Sequence, residues 1–137
     1  MTALLDTNIL IKMLSDDEPM HDWCVETVEA RRSEGPALIP DIVFCEFSIG
    51  MASLNEVSEA IAQLGIERLT TDDEMLFRAG VAYRAYRQTD GVKTNVLSDF
   101  LIGAAASVHG LPLITTNRKD FVGYFPEVEV VSPEAAE

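Results

Sequence analysis

Apolar positions along the chain fall into two rhythms. Five short runs have strand length and are bounded by polar or turn residues: "ALLD" (3–6), "ALIP" (37–40), "IERLT" (66–70), "PLITT" (112–116) and "VEVVS" (128–132). Between them lie longer segments whose apolar residues recur at three and four positions, such as Leu10, Ile11 and Leu14 in "TNILIKML". Strands alternating with helices predict an α/β fold of three layers, α/β/α, with a mainly parallel central sheet and helices over both faces. In such sheets sites form beyond the carboxyl ends of the strands.

Turn and cap residues set the expected boundaries. Pro19 suits the first turn of a second helix, through "MHDWCVETVEARRS", which stops at Gly35-Pro36. Asp41 is placed to cap a helix over 42–54, and Asn55 another that runs to Gly65. Thr71 with Glu74 three residues on forms a capping-box signature for the helix over 72–88. "TDGVKTN" reads as a loop ending in a cap at Asn95. "VLSDFLIGAAASVH" follows as a helix closed by Gly110. His109, in its last turn, suits the negative end of the helix dipole and needs no metal to explain it.

Composition narrows the class. At 137 residues, 47% of them hydrophobic, the chain is expected to form one domain over residues 1–131 with a short tail over 132–137. "MTALLDTNILIK" lacks the basic start of a signal peptide, and "HGLP" (109–112) interrupts the longest uncharged stretch before it reaches membrane-spanning length. Cys24 and Cys45 have neither zinc-site nor redox-motif spacing, so a reducing cytoplasm is the expected location. A net charge of −13 makes the average surface repel nucleic acid. Most of the 23 acids are therefore read as solvated surface, and Asp72, Asp73 and Glu74 as complements to a helix dipole.

Three acids do not fit that reading. Asp99 stands inside "TNVLSDFLIGAAASV", Glu46 inside "IVFCEFSI", and Asp6 where the first strand ends. An unpaired carboxylate in apolar surroundings costs several kcal/mol or takes up a proton. One such acid would find a buried Arg or Lys, or a backbone cap, but the ten basic residues lie mostly in loops or polar helix faces. Three acids with too few buried cations suggest a shared divalent metal. Carboxylate oxygens suit Mg²⁺ or Mn²⁺ rather than zinc, and Mg²⁺ is commonly completed by substrate phosphates. Asn117, at the end of another strand, is a fourth candidate, with Asp120 three residues on.

Taken in order and spacing, "LLDTNIL", the lone Glu46, "SDFLIGAAA" and "LITTNRKDF" resemble the PIN-domain ribonucleases, and the short length resembles the VapC-type toxins of toxin–antitoxin pairs. The resemblance runs from Leu4 to Phe125. It implies a metal-dependent endoribonuclease with Asp6, Glu46 and Asp99 as metal-binding acids and Asn117, preceded by Thr115, at the fourth position. Many members carry Asp there, so Asn117 removes one negative charge, for which Asp120 is a candidate replacement. Thr7 and Asn8 match positions that orient the first acid. Arg118 and Lys119 become the expected phosphate contacts. The resemblance also implies Mg²⁺ or Mn²⁺ as cofactor, RNA as substrate, an antitoxin as protein partner, a homodimer and no membrane association. Haloacid-dehalogenase-like phosphatases also begin with a strand-end Asp, but they need a second Asp where Asn8 stands. A PIN fold that binds RNA or protein without cutting is the alternative, and Asn117 is the feature that favours it.

Overall fold

The computed structural model describes residues 2–89 and 96–133. In chain order the elements are β1 (Leu4–Leu5), α1 (Thr7–Leu14), α2 (His21–Arg31), β2 (Ala37–Pro40), α3 (Asp41–Ser48), α4 (Leu54–Gln63), β3 (Ile66–Leu69), α5 (Asp73–Gln88), α6 (Leu97–His109), β4 (Leu113–Ile114), α7 (Lys119–Val122) and β5 (Val130–Val131). The five strands form one sheet in the order β3-β2-β1-β4-β5, and every pairing is parallel. The expected α/β architecture is the observed one.

The strand order decides where a site can form. From β1 the chain moves one way along the sheet to β2 and β3, then returns to β4 on the other side of β1. Right-handed crossovers put the outward and returning connections on opposite faces. The carboxyl ends of β1 and β4 therefore open a crevice between diverging connections, the topological switch point. The register is fixed there by Leu4 opposite Leu113 and Leu5 opposite Ile114, all four fully buried. Strands this short survive because both faces are covered. Leu4, Leu5, Ile39, Leu113 and Ile114 pack with Ile9, Leu10, Val28, Val43 and Ile102 from the helices.

Several boundaries differ from expectation, each with a local cause. Pro19 lies outside α2, because Met20 takes a left-handed conformation (φ 70°) as its N-cap. Asp41 does not cap α3. Pro40 occupies the cap position, and the Asp41 carboxylate accepts from Thr71 N–H at 2.9 Å and lies 3.6 Å from Arg68. With its amide spent on Asp41, Thr71 gives way to Asp72, which caps α5 by accepting from Met75 N–H at 2.9 Å. Ser53 rather than Asn55 caps α4, accepting from Glu56 N–H at 3.1 Å while Glu56 accepts from Ala52 N–H. α3 stops at Ser48, six residues short of the expected span, where the Ser48 hydroxyl donates to Phe44 O. The proposed cap at Asn95 lies outside the described residues. Gly110 (φ 63°) closes α6 as expected, and His109 meets Asp72 at 3.0 Å, tying the end of α6 to the start of α5. Of the expected tail, Ser132 is buried beside the sheet, and residues 134–137 lie outside the description.

Candidate active site

Asp6 occupies the crevice because it ends β1 and begins α1 at once. Its own N–H donates to Ile114 O of β4 at 3.0 Å, and its carboxylate caps α1 by accepting from Thr7 N–H at 2.8 Å. The second carboxylate oxygen accepts from the Thr115 hydroxyl at 2.7 Å. Thr115, fully buried, follows β4 directly and also accepts from Asn117 N–H at 3.0 Å. One hydroxyl thus joins the ends of the two central strands and sets the turn that carries Asn117.

Glu46 comes from α3 and Asp99 from the first turn of α6. The Thr7 hydroxyl donates to one Glu46 oxygen at 2.7 Å, which leaves the other available. Asp6, Thr7, Asn8, Glu46, Asp99 and Asn117 line a single cavity of about 640 Å³. Four elements far apart in sequence bring these side chains together, and the sequence pattern alone singles out each of them. The remaining wall is largely apolar, from Ile11, Leu14, Phe47, Ile49 and Met51. That rim was not anticipated, since Ile11 and Leu14 read from sequence as ordinary core of an amphipathic helix. They are in fact about two-fifths exposed, and Ile49 is 82% exposed.

The electrostatics are those of acids without a counter-ion. Among the described residues no ion pair involves Asp6, Glu46 or Asp99. Burial pushes the Asp99 carboxyl up to about 7, with repulsion from Asp6, Asp120 and Glu46 adding to it. Asp6 is also raised, chiefly by burial, although its bonds from Thr115 and Thr7 pull the other way. Among the described residues no three His, Cys, Asp or Glu side chains are drawn close enough to form a ready-made cage. The donors are oxygens only, which fits the hard cations Mg²⁺ and Mn²⁺, and an open set of this kind fits Mg²⁺ binding through one or two carboxylates with water and phosphate completing the shell.

The other sequence candidates separate. Arg118 donates to Val130 O at 3.1 Å, so its guanidinium secures the loop to β5 and does not line the cavity. Lys119 and Asp120, both exposed, line a second recess of about 280 Å³ that shares Asp99 with the first. Tyr86 and Tyr124 form part of that recess. Tyr86, three residues after Tyr83 on α5, has the spacing of ordinary core, and Tyr124, beyond the end of α7, has no periodic signal.

Comparison with known proteins identifies the family and the fold. The PIN domain model matches residues 3–124. Ribonuclease VapC10 of Mycobacterium tuberculosis is 32% identical over 135 residues, 97% of this chain and 92% of that protein. A toxin–antitoxin complex from Klebsiella pneumoniae contains a chain that matches with a TM-score of 0.70 and 28% identity, over 96% of this chain and 98% of that one. VapBC2 from Rickettsia felis, bound to a DNA fragment from its promoter, shares the fold with a TM-score of 0.76 at 19% identity, over 96% and 98%. The chain belongs to the PIN-domain family, among the VapC proteins.

Proposed function

We propose that this protein is a metal-dependent endoribonuclease and the toxin of a toxin–antitoxin pair. The observation that carries the reading is the convergence of Asp6, Glu46, Asp99 and Asn117 on one cavity at the topological switch point. The reaction is hydrolysis of an RNA phosphodiester: water adds to phosphorus, the P–O3′ bond breaks, and the products carry a 5′-phosphate and a 3′-hydroxyl. When bound, Mg²⁺ or Mn²⁺ supplies positive charge to the phosphate and lowers the pKa of water far below its bulk value of about 15.7. Asp6 and Asp99 are the principal cation-binding acids. Thr7 and Thr115 hold Asp6 in one orientation, and their bonds favour its ionised form. Glu46, with one oxygen fixed by Thr7, offers the other to the cation or to the attacking water. Asn117 adds an uncharged oxygen, so the site carries one charge fewer than an all-acid set. Asp120 makes up part of the difference from the neighbouring recess. Lys119 is the closer phosphate contact, and Arg118 acts by holding its loop.

The partner reading follows from charge and surface. A chain of net charge −13 with an apolar rim beside its acids suits a basic, partly apolar protein segment, and the Klebsiella pneumoniae relative is a toxin–antitoxin complex. Among the described residues no helix is long and apolar enough to cross a membrane, and a cytoplasmic location accords with the two free cysteines.

The test is cleavage of a structured RNA pool by antitoxin-free protein in Mg²⁺, in Mn²⁺ and in EDTA, beside folded Asp6→Asn. Metal-dependent cutting that the substitution removes is the expected result. Absence of cutting by folded protein across the pool would favour a PIN fold that binds without cleaving, with Asn117 as its cause.

A further inference from the structure

The recess on the far side of Asp99 has a composition of its own. Tyr86, Phe100 and Tyr124 supply its apolar wall, Val96 its edge, and Asp99, Lys119 and Asp120 its polar side. The rings form one packed group, with centroids 5.5 Å apart for Tyr86 and Phe100, 5.9 Å for Tyr86 and Tyr124, and 5.3 Å for Phe100 and Tyr124. The two tyrosine planes are set 75° apart. A flat guest can therefore stack on one ring while meeting the other edge-on, a common aromatic geometry. Arg78 reinforces the support from behind, with its guanidinium 4.6 Å from the centroid of the Phe125 ring and 3.0 Å from Tyr124 O. The Tyr124 hydroxyl is 3.3 Å from the Thr89 hydroxyl, which fixes the ring at its outer end.

Charge decides what kind of guest this is. Two carboxylates and one ammonium line the recess, so a phosphate would be repelled more than held. A neutral aromatic with amino or imino donors on its edge finds both a stacking surface and acceptors. At about 280 Å³ the recess is large enough for one base. Because Asp99 lines both cavities, a strand whose scissile phosphate sits at the acids has a neighbouring base within reach of this wall.

We propose that the Tyr86–Tyr124 recess is a nucleobase subsite that takes one unpaired base flanking the scissile phosphate, with Lys119 on the adjoining backbone. The inference rests on the nuclease reading of the acidic cavity and adds to it the residues that seat a base. Stacking one base on an aromatic side chain changes affinity by roughly tenfold or more, and it tolerates sequence because every base has a flat face.

The experiment removes the base rather than the protein group. A single abasic ribonucleotide is moved stepwise through a short fluorescent single-stranded RNA. Binding is read by anisotropy with Asp6→Asn protein, which prevents turnover and lessens the repulsion of phosphate. Cleavage of the same series is read with the unsubstituted protein. The expected result is one position next to the cut where loss of the base weakens binding by about tenfold. Tyr124→Leu and Tyr86→Leu should abolish that sensitivity, and Tyr124→Phe should keep it. Binding indifferent to the abasic position, or sensitivity undiminished in both leucine variants, overturns the subsite. Base-dependent binding without any cleavage by unsubstituted protein leaves the subsite standing and counts against the nuclease reading alone.

Discussion

At the scale of single residues, no Arg or Lys among the described residues pairs with Asp6 or Asp99, and burial raises both carboxyls. Asp99 titrates near 7 in the folded chain against about 3.9 in an unfolded one. The folded state therefore holds this proton more tightly, and its contribution to stability is complete below about pH 4 and lost as pH rises through about 7. Metal-free protein should unfold at lower urea concentration at pH 8 than at pH 5. Asp99→Asn should flatten that difference and raise stability at pH 8 while abolishing cleavage. If Asp99 were instead held by a buried cation, the same substitution would cost about 3–5 kcal/mol. Mn²⁺ should restore the unsubstituted protein at pH 8 by binding the folded state, and it should do little for Asp99→Asn. Thr115 makes the complementary case. Thr115→Val keeps the shape but removes the donor to Asp6 and the acceptor for Asn117 N–H. A cost of about 1–3 kcal/mol in urea unfolding is expected, with Thr115→Ser close to the original.

At the scale of elements, α6 matters most, because it carries Asp99 and packs against α5 and the sheet. Its register depends on Gly103, where an added Cβ would lie 2.4 Å from the ring of Phe125, itself fully buried. Gly103→Ala should cost about 1–3 kcal/mol through overpacking, visible as a lower unfolding midpoint. It should also displace Asp99, and so weaken RNA cleavage more than a surface change of equal stability cost. The acids were legible in the sequence because an isolated charge within an apolar run is locally anomalous whatever the fold. Asp6, Glu46 and Asp99 each stood out in that way, and strand-end placement added Asn117. Caps were less legible, since "SLN" and "TTDD" each offer several suitable side chains within a few residues. The selection is tertiary: Asp41 reaches Thr71 across the sheet edge, and Asp72 is left to cap α5. Tyr86 and Tyr124 were illegible for another reason. Tyr86 follows Tyr83 at helical spacing on α5, which reads as core, and Tyr124 stands beyond α7 where no periodicity marks it.

At the scale of the whole molecule, the charge of −13 opposes association of two copies, so a homodimer needs a face where charge alternates and apolar surface is free. α5 has such a face. Its exposed side begins with Asp73 and Glu74, passes Leu76 and Phe77, opens at Gly80, and ends with Arg84 and Arg87. Phe77 is 76% exposed, and nothing lies within 4 Å of where a Cβ on Gly80 would stand. A two-fold axis near Gly80 would set α5 of one copy antiparallel to α5 of the other. Asp73 would then face Arg87 of the second copy, and Phe77 would lie beside the guanidinium of Arg84. The open glycine lets the two backbones approach. Sedimentation should accordingly show a dimer that Phe77→Glu converts to monomer. Arg87→Glu alone should weaken it by opposing Asp73, and Arg87→Glu combined with Asp73→Arg should restore it. Recovery in the double reversal is the decisive outcome, because a face that merely tolerates or dislikes added charge would respond to each substitution independently. A dimer unaffected by Phe77→Glu would place the contact elsewhere and leave α5 as solvent-facing surface.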